Sequence, residues 1–527
     1  DARALALRHR TTIAAYQARE RVWEFWKHTL GVINVESPDT ALNMITNGWL
    51  VYQTMTARLW GRSGFYQSGG AFGFRDQLQD VTAMIHAQPA LMREHLLLAA
   101  SRQFAEGDVQ HWWHPPAGRG VRTMISDDFL WLPFATAFYV TATGDTGVLG
   151  VSVSFLAGRT LAVGEESYYD LPVVSEENGS LYEHCKRAVL RSLRFGEHGL
   201  PLMGGGDWND GMNLVGIKGR GESIWLAFFL FLVLKRFALL AKLCEDLPFA
   251  ELCEQEALRL KENIDSRAWD GEWYRRAFFD DGTPLGSKSN AECRIDSVAQ
   301  SWSVLSGAGT PDKIRQAMQS MEEKLIRPDT GLILLLDPPF DKSSLQPGYI
   351  KGYVPGIREN GGQYTHAAVW AVMAYAAMGD REKVARLLSM INPVNHGSNP
   401  EKIKTYRVEP YVMAADIYSA DPHKGRGGWT WYTGSAAWMY RLIIESVFGL
   451  KLEVQKLAFD PCLPPDWEHA TLHYRFRETV FHIHYHQQIP GKVIRVILDG
   501  VEQPGMSLEL TDDRVDHEVD LIFGDGN

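Results

Sequence analysis

Apolar residues along this 527-residue chain recur mostly at helical spacing up to about Leu450, and at the alternating spacing of strands beyond it. The first amphipathic helix is predicted over 11–29. A second begins behind Pro38-Asp39-Thr40 and runs to about Trp60, with Leu42, Ile45, Leu50 and Met55 along its buried side. The same periodicity predicts helices over 76–86, 90–104, 127–141, 181–196, 223–243 and 250–264. It continues over 295–305, 311–323, 363–378, 381–388, 411–419 and 432–448. Long polar loops separate several of them, and long loops in a compact helical domain are usually functional. No simple repeat is present, which disfavours a solenoid. A toroid of paired helices presenting these loops at one end is the economical architecture.

Near the C-terminus the pattern changes period. Residues 480–486 alternate apolar and polar, 493–498 are β-rich and stop at Asp499-Gly500, and 507–523 resemble another hairpin. Pro461, Pro464 and Pro465 mark the border. The expected organisation is a linker helix region over 1–36, a mainly α body over 37–452, and a small β-sandwich over 453–527.

Composition narrows the partners. An apolar fraction of 45% with 22% charge is that of a globular protein. A net charge of −11 without a dense basic tract excludes nucleic acid. Five scattered cysteines lack CxxC spacing and read as reduced thiols of a cytoplasmic protein; tethering of a parent polypeptide to an inner membrane stays open. Residues 1–22 read as helix, without the apolar centre of a signal peptide. The longest apolar run, 224–234, stops at Lys235-Arg236 and reads as a buried helix too short for a bilayer.

Candidate chemistry lies in five loops. The run Gly204-Gly205-Gly206-Asp207-Trp208-Asn209-Asp210-Gly211-Met212-Asn213 sets an aromatic between two carboxylates in a glycine-hinged turn. That combination suits a sugar ring with a proton donor beside it. A structural Asx turn is the plain alternative. An EF-hand fails, since Met212 and Lys218 stand where it needs Gly and Glu. In the glycine- and aromatic-rich run 64–80, Arg75 and Asp76 offer an adjacent donor and acceptor for vicinal hydroxyls, or Asp76 merely caps a helix. The basic loop 216–223 lacks a nucleotide P-loop ending, but its amides with Lys218 or Arg220 could hold a lone phosphate. His366 follows the polar run Arg358–Thr365, and Thr433-Gly434 precedes a helix N-terminus suited to an anion. His111-Trp112-Trp113-His114 and His482/His484/His486 have metal-like spacing without a matching acidic or Cys set; neither is assigned a metal.

Together these motifs resemble glycoside hydrolase family 94, the inverting β-glucoside phosphorylases. The likeness is nearest to 1,2-β-oligoglucan phosphorylases and the phosphorylase-like domain of cyclic β-1,2-glucan synthases. It is carried by Trp60-Gly-Arg-Ser-Gly-Phe-Tyr-Gln, Gly73-Phe-Arg-Asp-Gln-Leu-Gln-Asp80, Gly107-Asp-Val-Gln-His-Trp-Trp113 and Gly118-Arg-Gly-Val-Arg-Thr123. The resemblance implies an (α/α)6 barrel followed by a β-sandwich, with the family's N-terminal β-sandwich absent here. It implies Asp210 as general acid, with Arg75, Asp76, Trp208, Asp207 and Glu359 at the sugar. It matches His366, Thr433 and Gly434 to the phosphate site, to which Arg220 is added. No cofactor is expected, because inorganic phosphate is a co-substrate. A longer parent polypeptide or a homodimer is the expected context.

An inverting hydrolase needs a second carboxylate about 6.5–9.5 Å from the acid to activate water, whereas phosphate is already an anionic nucleophile. Asp210 must then be protonated near neutrality, with Trp208 and the Asp207 carboxylate expected to favour that form. Two alternatives remain: a hydrolase with Glu359 as base, and a chain-length-controlling carbohydrate-binding domain of a synthase.

Overall fold

The computed structural model describes residues 2–62, 70–162, 164–487 and 491–524. Residues 64–69 of the aromatic-rich loop motif lie outside them.

The helical body forms as the periodicity predicts, with ends shifted by a few residues. Helices Phe74–Thr82, Trp131–Thr143, Ile224–Leu243, Ser297–Leu305, Thr365–Ala377 and Ser435–Arg441 touch one another in that order, and the last returns to the first. Each buries most of its residues, and Thr365–Ala377 nearly all, which is why it reads as Ala, Val, Trp and Met on every side. Around this circuit, Pro89–Ala100, Leu181–Ser192, Leu247–Arg267, Pro311–Leu325 and Arg381–Ile391 pack against its outer faces. Ile224–Leu243 is long and apolar enough to cross a membrane by composition, yet 78% of its most apolar window is buried in protein.

The run 40–60 is helical but kinked at Asn47 and Gly48, where Gly48 takes φ +147°. The Asn47 side chain leaves the helix to bond the Val35 backbone on both sides (2.7 and 2.8 Å). Residues 411–419 are not a helix. The Gln53 amide pairs both backbone groups of Met413, and Asp416–Ile417 pairs with Gln363–Tyr364 as a short ladder. Tertiary partners for an extended backbone override a weak helical period. Strands Gln110–His114 and Arg119–Thr123, and Ser152–Ala157 with Val173–Ser180, form antiparallel pairs inside segments expected to be loops.

The C-terminal region carries a six-stranded sheet and a three-stranded one. In the larger, His469–Phe476 and Thr479–His486 form a hairpin, and Lys492–Leu498 ends at Asp499-Gly500 with φ +48° and +79°, the hairpin turn expected there. Two expectations change. Residues 507–523 are not a hairpin, because Ser507–Glu509 joins the smaller sheet while His517–Gly524 lies parallel to Thr479–His486 in the larger. The region 1–36 is not only helical, because Ile33–Glu36 is an edge strand antiparallel to His469–Phe476.

Candidate active site

Several helices of the inner circuit begin at one end of the molecule, and their first turns carry charge. Asp127 and Asp128 precede Trp131–Thr143, Arg75 and Asp76 open Phe74–Thr82, and Asp296 caps Ser297–Leu305. The loop 204–213 crosses this end. Gly204 and Gly206 take φ +61° and +130°, and two successive Asx turns follow: Asp207 accepts from the Asn209 amide (3.1 Å) and Asn209 from that of Gly211 (3.0 Å). The turn is seated on a small apolar cluster of Met203, Met212, Val215, Phe340 and Ile350, and so projects Asp210 outward.

Asp210 lines a cavity of about 250 Å³ together with Arg75, Asp76, Trp208, Glu359, His366, Thr433 and Gly434. Sequence positions 75 to 434 thus meet at one place. Arg75 is nearly buried and forked. Its guanidinium bonds Asp127 (2.8 Å), the Asp207 carbonyl (2.8 Å) and the Asp210 carboxylate. Asp76 does not cap its helix, whose cap is Gly73 without a side-chain bond; its side chain is 43% exposed and faces Arg58 at 3.5 Å. Trp208 is only 7% exposed, with Tyr364, His366 and Trp370 packed around its ring. It offers the cavity a margin rather than an open face.

His366 is buried against Trp370, and its Nε2 has no hydrogen-bond partner among the described residues. Burial, reinforced by Arg58, pulls its ring down to about 3, against the smaller pull of Asp76. The imidazole is therefore neutral and carries one uncommitted nitrogen. A Cβ placed on Gly434 would lie 3.4 Å from His366 Nδ1 and 3.6 Å from the Arg58 guanidinium, so glycine keeps this corner open. Burial raises Glu359 against the pull of Arg358, whose Nε is 3.3 Å away.

Two expected residues are not brought to the cavity. Asp207 is fully buried, and its carboxylate accepts from Arg276 twice (2.6 and 2.6 Å) and from Ser223 Oγ (2.6 Å). Burial works against its ionisation, but Arg276 and Ser223 outweigh it and hold Asp207 below the usual carboxylate range. It fixes the loop and is not the neighbour that would favour a protonated Asp210. Arg220 lies elsewhere, beside His198 and Asp280. The amides of Lys218, Arg220 and Gly221 donate to Asp280 (2.9, 2.8 and 2.9 Å), so an internal carboxylate fills the nest expected for phosphate.

Sequence reasoning also missed Arg58 and Tyr349. Arg58 is buried, bonds Asp80 through Nε (2.7 Å) and lies over the Tyr432 ring. A cation between Ala57 and Leu59 inside an apolar helical run was its available signal. Tyr349, half exposed at the mouth, is tied to the same loop through its amide and Asn213 Oδ1 (3.0 Å). His111 bonds Asp128 through Nδ1 (2.8 Å), and its Nε2 is 3.7 Å from Asp210.

The family described as the glycosyl hydrolase 94 superfamily, catalytic domain, matches residues 25–449. The chain belongs to that superfamily. This glycosyl hydrolase 94 chain is 48% identical over 467 residues to the cyclic beta-(1,2)-glucan synthase NdvB of Rhizobium meliloti, covering 88% of this chain and 16% of the synthase. It is 30% identical over 494 residues to the solabiose phosphorylase of Paenibacillus borealis, covering 93% of this chain and 60% of that one. With the 1,2-beta-oligoglucan phosphorylase of Listeria innocua it shares 24% over 475 residues, 83% of this chain and 41% of the other. It therefore spans less than two thirds of each. Among solved structures, a GH78 family rhamnosidase of Bacillus sp. GL1 superimposes with a TM-score of 0.54 at 14% identity, over 86% of this chain and 41% of that one. At that identity the likeness is one of fold.

Proposed function

We propose that this chain cleaves β-linked glucooligosaccharides by inverting phosphorolysis, with β-1,2-linked glucan as substrate and α-glucose 1-phosphate as product. Asp210 gives its proton to the glycosidic oxygen, the bond from that oxygen to the anomeric carbon breaks, and a phosphate oxygen bonds that carbon from the opposite face. The reaction runs in both directions. The observation that carries the reading is the corner of Arg58, His366, Thr433 and Gly434 in the same cavity as Asp210. A buried cation, an uncommitted imidazole nitrogen and an open glycine backbone make a receptor for a small oxyanion. The closed circuit of helices supports an (α/α)6 barrel. The names of the synthase and of the oligoglucan phosphorylase support the β-1,2 linkage. The share of the synthase that is matched supports a longer parent polypeptide.

A hydrolase is the second reading, favoured by Glu359 in the same cavity, where it could serve as base. Incubation with β-1,2-glucooligosaccharides with and without inorganic phosphate separates the two. Phosphorolysis predicts glucose 1-phosphate and no cleavage without phosphate; release of reducing sugar indifferent to phosphate rejects it.

A further inference from the structure

The cavity explains how a proton leaves Asp210 but not how one returns. In each cycle the acid ends as a carboxylate, while the phosphate that entered as a monoprotonated dianion leaves its proton elsewhere. Asp210 must be reloaded before the next bond breaks. Its ion-pair partners among the described residues are Arg75, which cannot give up a proton, and His111, which can; Tyr349 and Glu359 line the same cavity. His111 stands on strand Gln110–His114, with Asp128 from the first turn of the next helix accepting at Nδ1 (2.8 Å) and Asp210 facing Nε2 at 3.7 Å. Asp128 is almost fully buried, His111 is 16% exposed and Asp210 lines the cavity, so the chain Asp128–His111–Asp210 runs from the interior to the cavity.

We propose that His111, oriented by Asp128, is the relay that returns a proton to Asp210 after each turnover. This rests on Asp210 being the acid. The proton passes from His111 Nε2 to Asp210 Oδ2 as the two close the remaining gap or through one water. His111 is left as a neutral imidazole that keeps its Nδ1–H on Asp128, and it recovers the proton from solvent. No group changes oxidation state, and the proton that the phosphate ester releases to water equals the one His111 takes up.

At neutral pH the His111 ring holds its proton. Burial pulls His111 down, but the carboxylates of Asp128 and Asp210 outweigh it and push the ring up to about 9, against Arg75. Asp76 is the other charged group that feels His111. The role also gives a use to the His111-Trp112-Trp113-His114 run, since the acids that meet His111, Asp128 and Asp210, come from other segments.

The test compares His111→Asn, which can still donate to Asp128 but has no counterpart of Nε2, with the wild type on two substrates. On a β-1,2-glucooligosaccharide with phosphate, the variant's kcat should fall by about 10²-fold or more. On 2,4-dinitrophenyl β-glucoside with phosphate, whose leaving group needs no proton, it should stay within a few-fold. Asp128→Asn should keep more activity but move the alkaline limb of the wild-type kcat profile from near pH 9 toward neutrality. Equal losses on both substrates with an unmoved limb would mean a merely structural His111 and overturn the relay, as would full activity of His111→Asn. Asp210→Asn run in parallel keeps the outcomes apart, because its loss on the oligosaccharide alone upholds the acid even where the relay fails.

Discussion

Histidine meets carboxylate in two regions of this molecule, and the two behave differently. At the N-terminal ends of the inner helices, His111 and Asp128 are 16% and 2% exposed and belong to a network with Arg75, Asp127 and Asp210. On the outer face of the large C-terminal sheet, His484 pairs with Glu518 and His486 with Asp520, each at 2.7 Å but with partners 61% and 40% exposed. Distances are alike and burial is not. Water screens the sheet pairs, which are worth at most about 1 kcal/mol each. At the helix ends, removing one member leaves a charge stranded in protein, at about 3–5 kcal/mol. The contrast is between charges held by a buried network and charges that water can replace. The His482/His484/His486 face is the polar side of a strand whose other side is core.

The sharpest test is Asp210→Asn, expected to lower phosphate-dependent cleavage by about 10²–10⁴-fold with little change in unfolding midpoint, since Asp210 is the 35% exposed member of the network and Arg75 keeps Asp127. Initial rates and urea melts on the same preparation check both halves. Next, Arg276→Met should cost about 3–5 kcal/mol in urea unfolding by stranding Asp207, with loss of activity following the loosened loop. If it were as mild as a sheet substitution, the contrast would break.

His366→Ala should raise the KM for phosphate about 10–100-fold, corresponding to the ~1.5–3 kcal/mol of a hydrogen bond to a charged group. It should also change the acid side of the stability profile. His366 binds its proton near 6.5 when unfolded and at about 3 when folded, so the unfolded state binds more protons between those values. Stability is lost there as pH falls, and His366→Ala should flatten the decline in melts between pH 6 and 4. His484→Ala is the smallest expected effect, below about 1 kcal/mol and shrinking with added salt. A larger loss would place that face among the buried networks.

The expected loops differed in how much of their geometry could be read from residue type. Trp208, Asp210, Arg75, Asp76, His366, Thr433 and Gly434 stand out in polar, glycine-hinged runs at helix starts, and these runs do converge on one cavity. Asp207 and Arg220 look equally exposed in sequence. Only the fold shows that Arg276 claims the first and that Asp280 fills the nest beside the second. Arg58 and Tyr349 escaped for the opposite reason, one inside an apolar helix and the other in an unremarked loop.

Local order is what the chain determined alone. Apolar spacing of three and four marks most of the helices, spacing of two marks the strands around 480 and 495, and Asp499-Gly500 marks its turn, because these depend on backbone geometry and neighbouring side chains. Long-range pairing was decided by the tertiary structure. Which acid meets which base, whether 411–419 coils or extends, and where Ile33–Glu36 and His517–Gly524 find their partners depend on groups tens to hundreds of residues away. A buried charge or an unpaired backbone group is costly enough that its distant partner, rather than its own residue type, sets its position.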